Sequence, residues 1–325
     1  MRPRVFVTRP LPPPTLDLLR GKCEVEIHPE DSPLPVAQLA EICSTHEIEG
    51  LVVCGSRVTE QVVNGAPRLR VVSNVGVGYD NIDVEACTLR RIPVTNTTGV
   101  LEETTADLAF ALLMAVARRV VEGDRYVREG RWDQWRWSLL WGADVHHKTL
   151  GLYGFGSTGR AMARRGRGFS MRILYHSRRR ADAALEREFD AAYVDRQTLL
   201  RESDFLSLHV PLTPETHHLI AASELSLLKP TAFLINAARG QVVDEEALVT
   251  ALRSRRLAGA GLDVFEQEPR VHPALLSMPN VVLAPHIGSA TAETRFRMAA
   301  LAAENLLVTF EGRRPPNIIN PEIYA

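Results

Sequence analysis

Over the first hundred residues short apolar runs alternate with amphipathic stretches. RVFVT (4–8), CEVEIH (23–28), GLVV (50–53), LRVVSNV (69–75) and IPVTN (92–96) are predicted strands. TLDLLR, PVAQLAEIC, TEQVVNG and VEACTLRR between them are predicted helices. A long helix, apolar on most faces, is expected at roughly 101–121, LEETTADLAFALLMAVARRVV. From 149 the alternation resumes: TLGLYG, MRILYHS, AAYV, FLSLHV, AFLINAA, GAGLDV and VVLAPH are strands, with helices such as DEEALVTALRSRRL between them. A last broad helix is expected at about 290–311, and GRRPPNIINPEIY after it as an extended strap. Strands alternating with helices imply parallel pairing, so the chain is expected to be α/β, with two doubly wound parallel-sheet bodies joined by two helices.

Composition narrows the function classes. A formal net charge of −1 leaves no global field to recruit nucleic acid or an anionic membrane, so any anion site is local. The apolar runs are far short of a membrane span, and MRPRVFVTRPLPPP has too short an apolar stretch for a signal peptide. Cys23, Cys43, Cys54 and Cys87 show no C-x-x-C spacing, which fits free buried thiols in a reducing cytoplasm. All four tryptophans, Trp132, Trp135, Trp137 and Trp141, fall in RWDQWRWSLLW. They are either an arm that docks on a partner subunit or ordinary packing over a domain seam.

Residues 149–160, TLGLYGFGSTGR, carry the first chemistry. An apolar strand ends at Gly154 and a helix follows Gly159, so Gly154, Phe155, Gly156, Ser157, Thr158 and Gly159 form G-x-G-x-x-G in the strand–turn–helix setting of a dinucleotide site. The first glycine permits the tight turn, the second the approach of a pyrophosphate, and the third close packing of helix on strand. NAD sites place an acidic residue at the end of the next strand for the ribose hydroxyls. Here LYHSRRRAD offers His176, Ser177, Arg178, Arg179 and Arg180, and no acidic residue lies between Arg160 and Ala181. The 2′-phosphate of NADP is the favoured occupant, with Ser177, Arg178 and Arg179 as contacts, over a solvated strand terminus. Arg180 is expected in solvent, as is a face formed by Arg164, Arg165 and Arg167.

Three later strands end in ionisable residues: Arg239 after AFLINAA, Asp263 with Glu268 five residues on, and His286 after VVLAPH. Each alone is more often structural. Together, at the carboxyl ends of strands in one sheet, they could converge beside a cofactor. Reducing a 2-oxo acid needs a cation for the carboxylate, a proton donor for the carbonyl oxygen and a hydride. Arginine suits the first, and histidine, oriented by a glutamate that raises its pKa, suits the second. The pairs His146–His147 and His217–His218 are read as surface residues that point different ways, not metal ligands. Helix N-capping explains at least one of Asp80 and Asp83 better than acid–base chemistry does.

VGVGYDNID (75–83), TTADLAFALLMA (104–115), GFGSTG (154–159), INAARGQVVDEEAL (235–248), GAGLDVFEQEP (259–269) and APHIGSAT (284–291) together resemble the D-2-hydroxyacid dehydrogenases over almost the whole chain. The likeness is greatest to the glyoxylate/hydroxypyruvate reductases. It implies Arg239 as substrate clamp, His286 as general acid and Glu268 as its partner. It also implies that Val77 and Gly78 offer N–H groups to the substrate carboxylate, with Ser289 beside them. Thr105, Ala237, Asp263, His286 and Gly288 would line the nicotinamide side, and His209, Val210, Pro211 and Thr216 would border the adenosine and phosphates. The implied fold has a flavodoxin-like substrate domain, 1–99 plus 288–325, and an inserted Rossmann cofactor domain, 100–287. NADP(H) is the preferred cofactor, with NAD(H) possible. The Trp-rich segment matches the family's dimerisation arm, so a homodimer through 101–141 is expected.

Two departures stand out. Ser157 and Thr158 replace the Arg-Ile of many members, removing a cationic and an apolar contact. Gly55 replaces a bulkier residue in the substrate-side loop, which leaves room for a substrate larger than glyoxylate. Other D-2-hydroxyacid dehydrogenases, phosphite dehydrogenase and a dinucleotide-sensing corepressor share this scaffold. Phosphite is disfavoured because Val77 stands where those enzymes place a lysine.

Overall fold

Residues 2–325 are described by a computed structural model. The chain divides into two units, Met1–Leu101 with Ala290–Ala325, and Glu102–Ser289. Both boundaries lie two residues beyond the expected ones, so Gly288 and Ser289 belong to the second unit.

In the first unit β1 (Arg4–Val7), β2 (Glu24–Ile27), β3 (Gly50–Val53), β4 (Val71–Asn74) and β5 (Val94–Thr95) form one sheet in the order β2-β1-β3-β4-β5. Every pairing is parallel. Side-chain alternation sends Phe6, Leu51, Val53 and Val72 into one core and Val5, Val7, Val52 and Val71 into the other. The Ala292–Phe310 helix covers the second of these with Ala302, Ala303 and Leu306. With both faces covered, the central strand β3 is apolar along its length and β1 after Arg4, whereas the edge strand β2, EVEI, alternates with polar residues. The C-terminal strap runs along β5: Ile319 N–H donates to Val94 O and Asn96 N–H to Asn317 O, at 2.8 and 3.1 Å. It ends in a short 3₁₀ helix, Pro321–Tyr324. Asp83 caps its helix by accepting from Ala86 N at 2.9 Å, as capping chemistry predicts.

In the second unit β6 (Thr149–Tyr153), β7 (Arg172–His176), β8 (Ala191–Tyr193), β9 (Phe205–Leu208), β10 (Phe233–Asn236), β11 (Gly259–Leu262) and β12 (Val281–Leu283) form a parallel sheet ordered β12-β11-β10-β9-β6-β7-β8. The order turns back between β6 and β9, which places a topological switch point at the end of β6. The long helix expected at 101–121 is two helices, Glu102–Ala117 and Val120–Arg128. Arg119, at φ 54°, breaks it. The chain returning through Gly142 and Ala143 takes the Ala117 carbonyl, with Ala143 N–H donating at 2.8 Å. No glycine or proline at the break advertises this, because the competing donor comes from a distant segment.

Of the arginines after the glycine loop, Arg164 and Arg167 are exposed as expected, whereas Arg165 is drawn out of solvent. Arg165, on the Ser157–Gly168 helix, bonds Glu103 at 2.8 Å and Asp107 at 2.5 Å, and Arg164 bonds Glu103 at 2.5 Å. Arg167 donates to the Glu188 carbonyl. The glycine-loop helix is thereby fastened to the helix that carries Thr105. No helix is long and apolar enough to cross a membrane among the described residues. Arg165 has a side-chain exposure of 19%, against 57% for Arg164. Arg165→Ala should therefore lower stability by about 2 kcal/mol. Arg164→Ala should cost under about 1 kcal/mol. Urea denaturation of the two variants checks the order.

Candidate active site

Register aligns the strand ends of the second sheet. His176 pairs with Tyr153, Tyr153 with Leu208, Leu208 with Asn236, Asn236 with Leu262, and Leu262 with Leu283. The residues that follow this row are Ser177, Gly154, His209, Ala237, Asp263 and Ala284. The sequence-derived candidates thus leave the sheet from one edge.

The glycine loop fits a dinucleotide. Gly154 has φ 99°, and a Cβ there would lie 2.4 Å from His209 O. A Cβ on Gly159 would lie 2.3 Å from Gly154 O. A Cβ on Gly156 would meet nothing within 4 Å, so the middle glycine faces open space where a pyrophosphate can approach. Ser157 starts the helix, with Thr158 and Gly159 in its first turn. His209 sits beneath the loop, bonded to Ser207 at 2.9 Å, and burial pushes its imidazole down to about 4. Val210 and Pro211 continue this loop, where Thr216 Oγ1 donates to Pro211 O at 2.6 Å and accepts from Thr213 N at 2.8 Å. Thr216 is therefore committed to shaping the loop.

After β7, Ser177 Oγ donates to Arg179 O at 2.5 Å, and Arg178 and Arg179 are exposed. Arg180 is not simply solvated. It grips Glu186 with two bonds of 2.8 Å, while Tyr175 Oη donates to the same carboxylate at 2.7 Å. The Arg180 and Tyr175 hydrogen bonds hold Glu186 down at about 2. Arg180 is thus neutralised, leaving Arg178 and Arg179 as the cationic tip. Sequence reading missed Glu215, whose carboxyl is lowered by a Thr213 hydrogen bond and also by the charge of Arg178.

Asn236, at the end of β10, is 1% exposed. Its side chain donates to Arg239 O at 2.9 Å and accepts from Ala238 N at 3.0 Å, folding residues 237–239 into a fixed turn. Arg239 Nη1 donates to Ala238 O at 2.8 Å. Across β11, Glu268 Oε1 accepts from Phe265 N at 3.0 Å, and Oε2 lies 2.8 Å from His286 Nδ1. Burial pushes the Glu268 carboxyl up, but the hydrogen bond and charge of His286, the Phe265 N–H and the charge of Arg239 outweigh it. The net shift is down, so Glu268 is an anion near neutral pH. Glu268 and His286 are thus in contact, and the charge of Arg239 acts on the same carboxylate.

His286 has φ 54°, a left-handed conformation worth about 1 kcal/mol of strain. Asp263 sustains it. Its carbonyl accepts from His286 N at 2.8 Å, and its carboxylate accepts from Ile287 N at 2.8 Å and Gly288 N at 2.7 Å. Burial at 1% exposure pushes the Asp263 carboxyl up, opposed by these N–H groups and by the charge of His286. Both carboxylate oxygens thus help to hold the loop. Gly288 lies against Thr105, whose Cγ2 would be 3.4 Å from a Cβ there.

His218 also departs from expectation. Its ring lies 4.1 Å from that of His217, and its Nε2 is 2.8 Å from Glu266 Oε1, so it is neither turned away nor simply a surface residue. No group of three or more metal-ligating side chains occurs among the described residues. In the first unit, Asn74 Nδ2 donates to Gly78 O at 2.8 Å and Asn96 Nδ2 to Val77 O at 3.0 Å, which fixes the VGVG turn. Gly55 does not leave a void. At φ 74°, a Cβ on it would lie 3.3 Å from Arg9 Nη2, so a guanidinium occupies the room a side chain would take.

Comparison with known proteins places this arrangement. Residues 110–288 match the model of the D-isomer specific 2-hydroxyacid dehydrogenase, NAD binding domain. The chain belongs to this family. It is an NAD(P)-dependent oxidoreductase, and its second unit binds a nicotinamide dinucleotide. Relatives include a glyoxylate reductase from Thermococcus litoralis, 48% identical over 99% of this chain and 98% of the relative. Another, from Korarchaeum cryptofilum, is 51% identical over 99% and 97%. Among solved structures, the NADPH-dependent glyoxylate/hydroxypyruvate reductase of Sinorhizobium meliloti, in complex with NADP and malonate, is 36% identical. It superposes with a TM-score of 0.87 over 98% of this chain and 97% of that one.

The glycine geometry yields a graded expectation. Gly154→Ala should lower the melting temperature and abolish dinucleotide binding. Gly156→Ala should fold normally yet weaken binding about 10-fold or more, because its methyl enters the space of the pyrophosphate. Calorimetric titration with NADPH, beside thermal melts, separates the two.

Proposed function

We propose that this chain is an NADPH-preferring reductase of small 2-oxo acids, glyoxylate and hydroxypyruvate, yielding D-2-hydroxy acids. The observation that carries the reading is the 2.8 Å pair of His286 Nδ1 and Glu268 Oε2, with the charge of Arg239 acting on the same carboxylate. The relatives' names and the reductase solved with NADP support the choice of substrate and cofactor.

In this reading the Arg239 guanidinium holds the substrate carboxylate, with Ser289 beside it. Glu268 engages Nδ1 of the imidazolium and so leaves Nε2–H to point at the carbonyl oxygen. A reduced nicotinamide held here would supply the hydride for the carbonyl carbon. His286 Nε2 would give its proton to the carbonyl oxygen and be left neutral. Ser177, Arg178 and Arg179 take the 2′-phosphate, with Arg180 withheld by Glu186. Thr105, Ala237 and Gly288 line the nicotinamide side. His209, neutral at working pH, and Val210, Pro211 and Thr216 shape the adenosine side.

The same proposal includes a homodimer. Trp132, Trp135, Trp137 and Trp141 are 56%, 74%, 76% and 65% exposed, a concentration of large apolar surface that a second copy would cover. Four free cysteines suit a reducing cytoplasm.

Two measurements check the reading. Replacing Arg178 and Arg179 with Gln should raise the NADPH KM about 10–100-fold and change the NADH KM little. Equal losses for both cofactors would return the arginines to solvent. His286→Ala should lose at least about 100-fold in kcat while still binding NADPH. A His286→Ala variant that binds NADPH and keeps kcat within about twofold would remove His286 from the acid's role.

A further inference from the structure

All four hydrogen-bonding groups of Glu266 are used, and their partners lie on two other loops. Its Oε1 is 2.8 Å from His218 Nε2, and its Oε2 accepts from Glu245 N at 3.2 Å. Its own N–H donates to Glu245 Oε1 at 2.9 Å, and its carbonyl accepts from Gln241 Nε2 at 2.9 Å. The circuit closes where His218 N–H donates to Gln241 O at 2.8 Å. Gln241 lies two residues after Arg239, and Glu266 two residues before Glu268. His218 ends the loop that begins at His209.

We propose that Glu266, locked to Glu245, Gln241 and His218, is a positioning residue that sets the Arg239 guanidinium against the Glu268–His286 pair. This rests on the functional reading above. The backbones being joined already touch: a Cβ on Gly240 would fall 1.9 Å from the Phe265 carbonyl carbon. Contact alone leaves the two loops free to slide along one another, whereas reciprocal N–H to carboxylate bonds fix their register. With two residues on either side of the lock, there is little chain to absorb a displacement. A shift at Glu266 passes to the separation between clamp and acid, and errors of about 1 Å there cost catalysis heavily.

Stability alone accounts poorly for the choice of residues. Glu245 is 7% exposed and stands close to a second carboxylate. Burial pushes its carboxyl up, the Glu266 N–H opposes this, and the charges of Glu266 and Glu268 add to the rise, with His272 counteracting them. Crowding acidic groups in a partly desolvated seam is expensive. What the arrangement supplies is direction, since each carboxylate receives the other residue's backbone N–H and cannot do so in a shifted register.

The test uses the full chain, with kcat and KM for glyoxylate, the NADPH Kd and the melting temperature measured for each variant. Glu266→Ala should lower kcat/KM about 10–100-fold while the NADPH Kd stays within about twofold. Glu266→Gln, which keeps an acceptor for the Glu245 N–H, should recover most of the loss. If Glu266 acts through Arg239, its loss should be much smaller in an Arg239→Lys background than alone. A purely structural role would lower the melting temperature and leave the constants of the folded protein unchanged. Folded Glu266→Ala with kcat/KM within about twofold of the unsubstituted chain, or losses fully additive with Arg239→Lys, overturns the proposal. Should Glu266→Ala fail to fold, Gln241→Ala removes one bond of the circuit and should cost about 3–10-fold, with no change overturning the claim. If the unsubstituted chain does not turn over glyoxylate, the functional reading has failed instead. Oxalate, a dicarboxylate that Arg239 can grip, then reports on the positioning claim: Glu266→Ala should weaken its binding about 10-fold, and unchanged binding refutes it.

Discussion

A parallel sheet sends every strand's carboxyl end to one edge, and the cofactor-side unit depends on that constraint. Its register row runs His176, Tyr153, Leu208, Asn236, Leu262 and Leu283 across six strands. The residue after each is therefore presented at nearly the same height. The glycine turn, the arginine tip, the His209 loop, the clamp turn and the loop bearing His286 all begin there. A protein with these residues on antiparallel strands would scatter them to both edges of the sheet.

Height alone does not orient a side chain, and neighbouring polar residues perform that task. Asn236 folds the clamp turn, Asp263 holds the loop of His286 through three hydrogen bonds, and Glu268 fixes the imidazole. Asn236 and Asp263 are enclosed where an unpaired polar group would be costly, so their bonds are enforced by the surrounding protein, while the exposed Glu268 is held by its own two hydrogen bonds. The left-handed backbone of His286 survives for the same reason. The strain is about 1 kcal/mol, less than the hydrogen bonds that maintain it contribute together.

Charge is sorted in the same way. Arg165 is consumed in fastening two helices, and Arg180 is neutralised by Glu186. Arg178 and Arg179 remain exposed at the strand end where a cofactor's ribose substituent is read. The four tryptophans follow a different logic: they find no cover in their own unit and present apolar surface outward.

The chain order of elements, the parallel sheets and the glycine loop were legible in the sequence, because side-chain periodicity and glycine's lack of a Cβ are local properties. The placement of Arg239, Asp263 and His286 at one edge was legible because each follows an apolar strand, and strand direction dictates which edge it reaches. The break at Arg119 was not legible, since a donor from Ala143, distant in sequence, takes the helix's carbonyl. Nor was the Glu266 circuit, because Glu245, His218 and Gln241 meet it only after three loops leave the same edge. Gly55 was misread for the same reason: a missing side chain reads as space until Arg9, from the bend after β1, is seen to fill it. Periodicity, turn chemistry and capping belong to neighbours along the chain, and the sequence alone determined them. Which charges pair, which polar groups are buried and which loops lock together depend on residues joined by packing, and only the tertiary structure decided them.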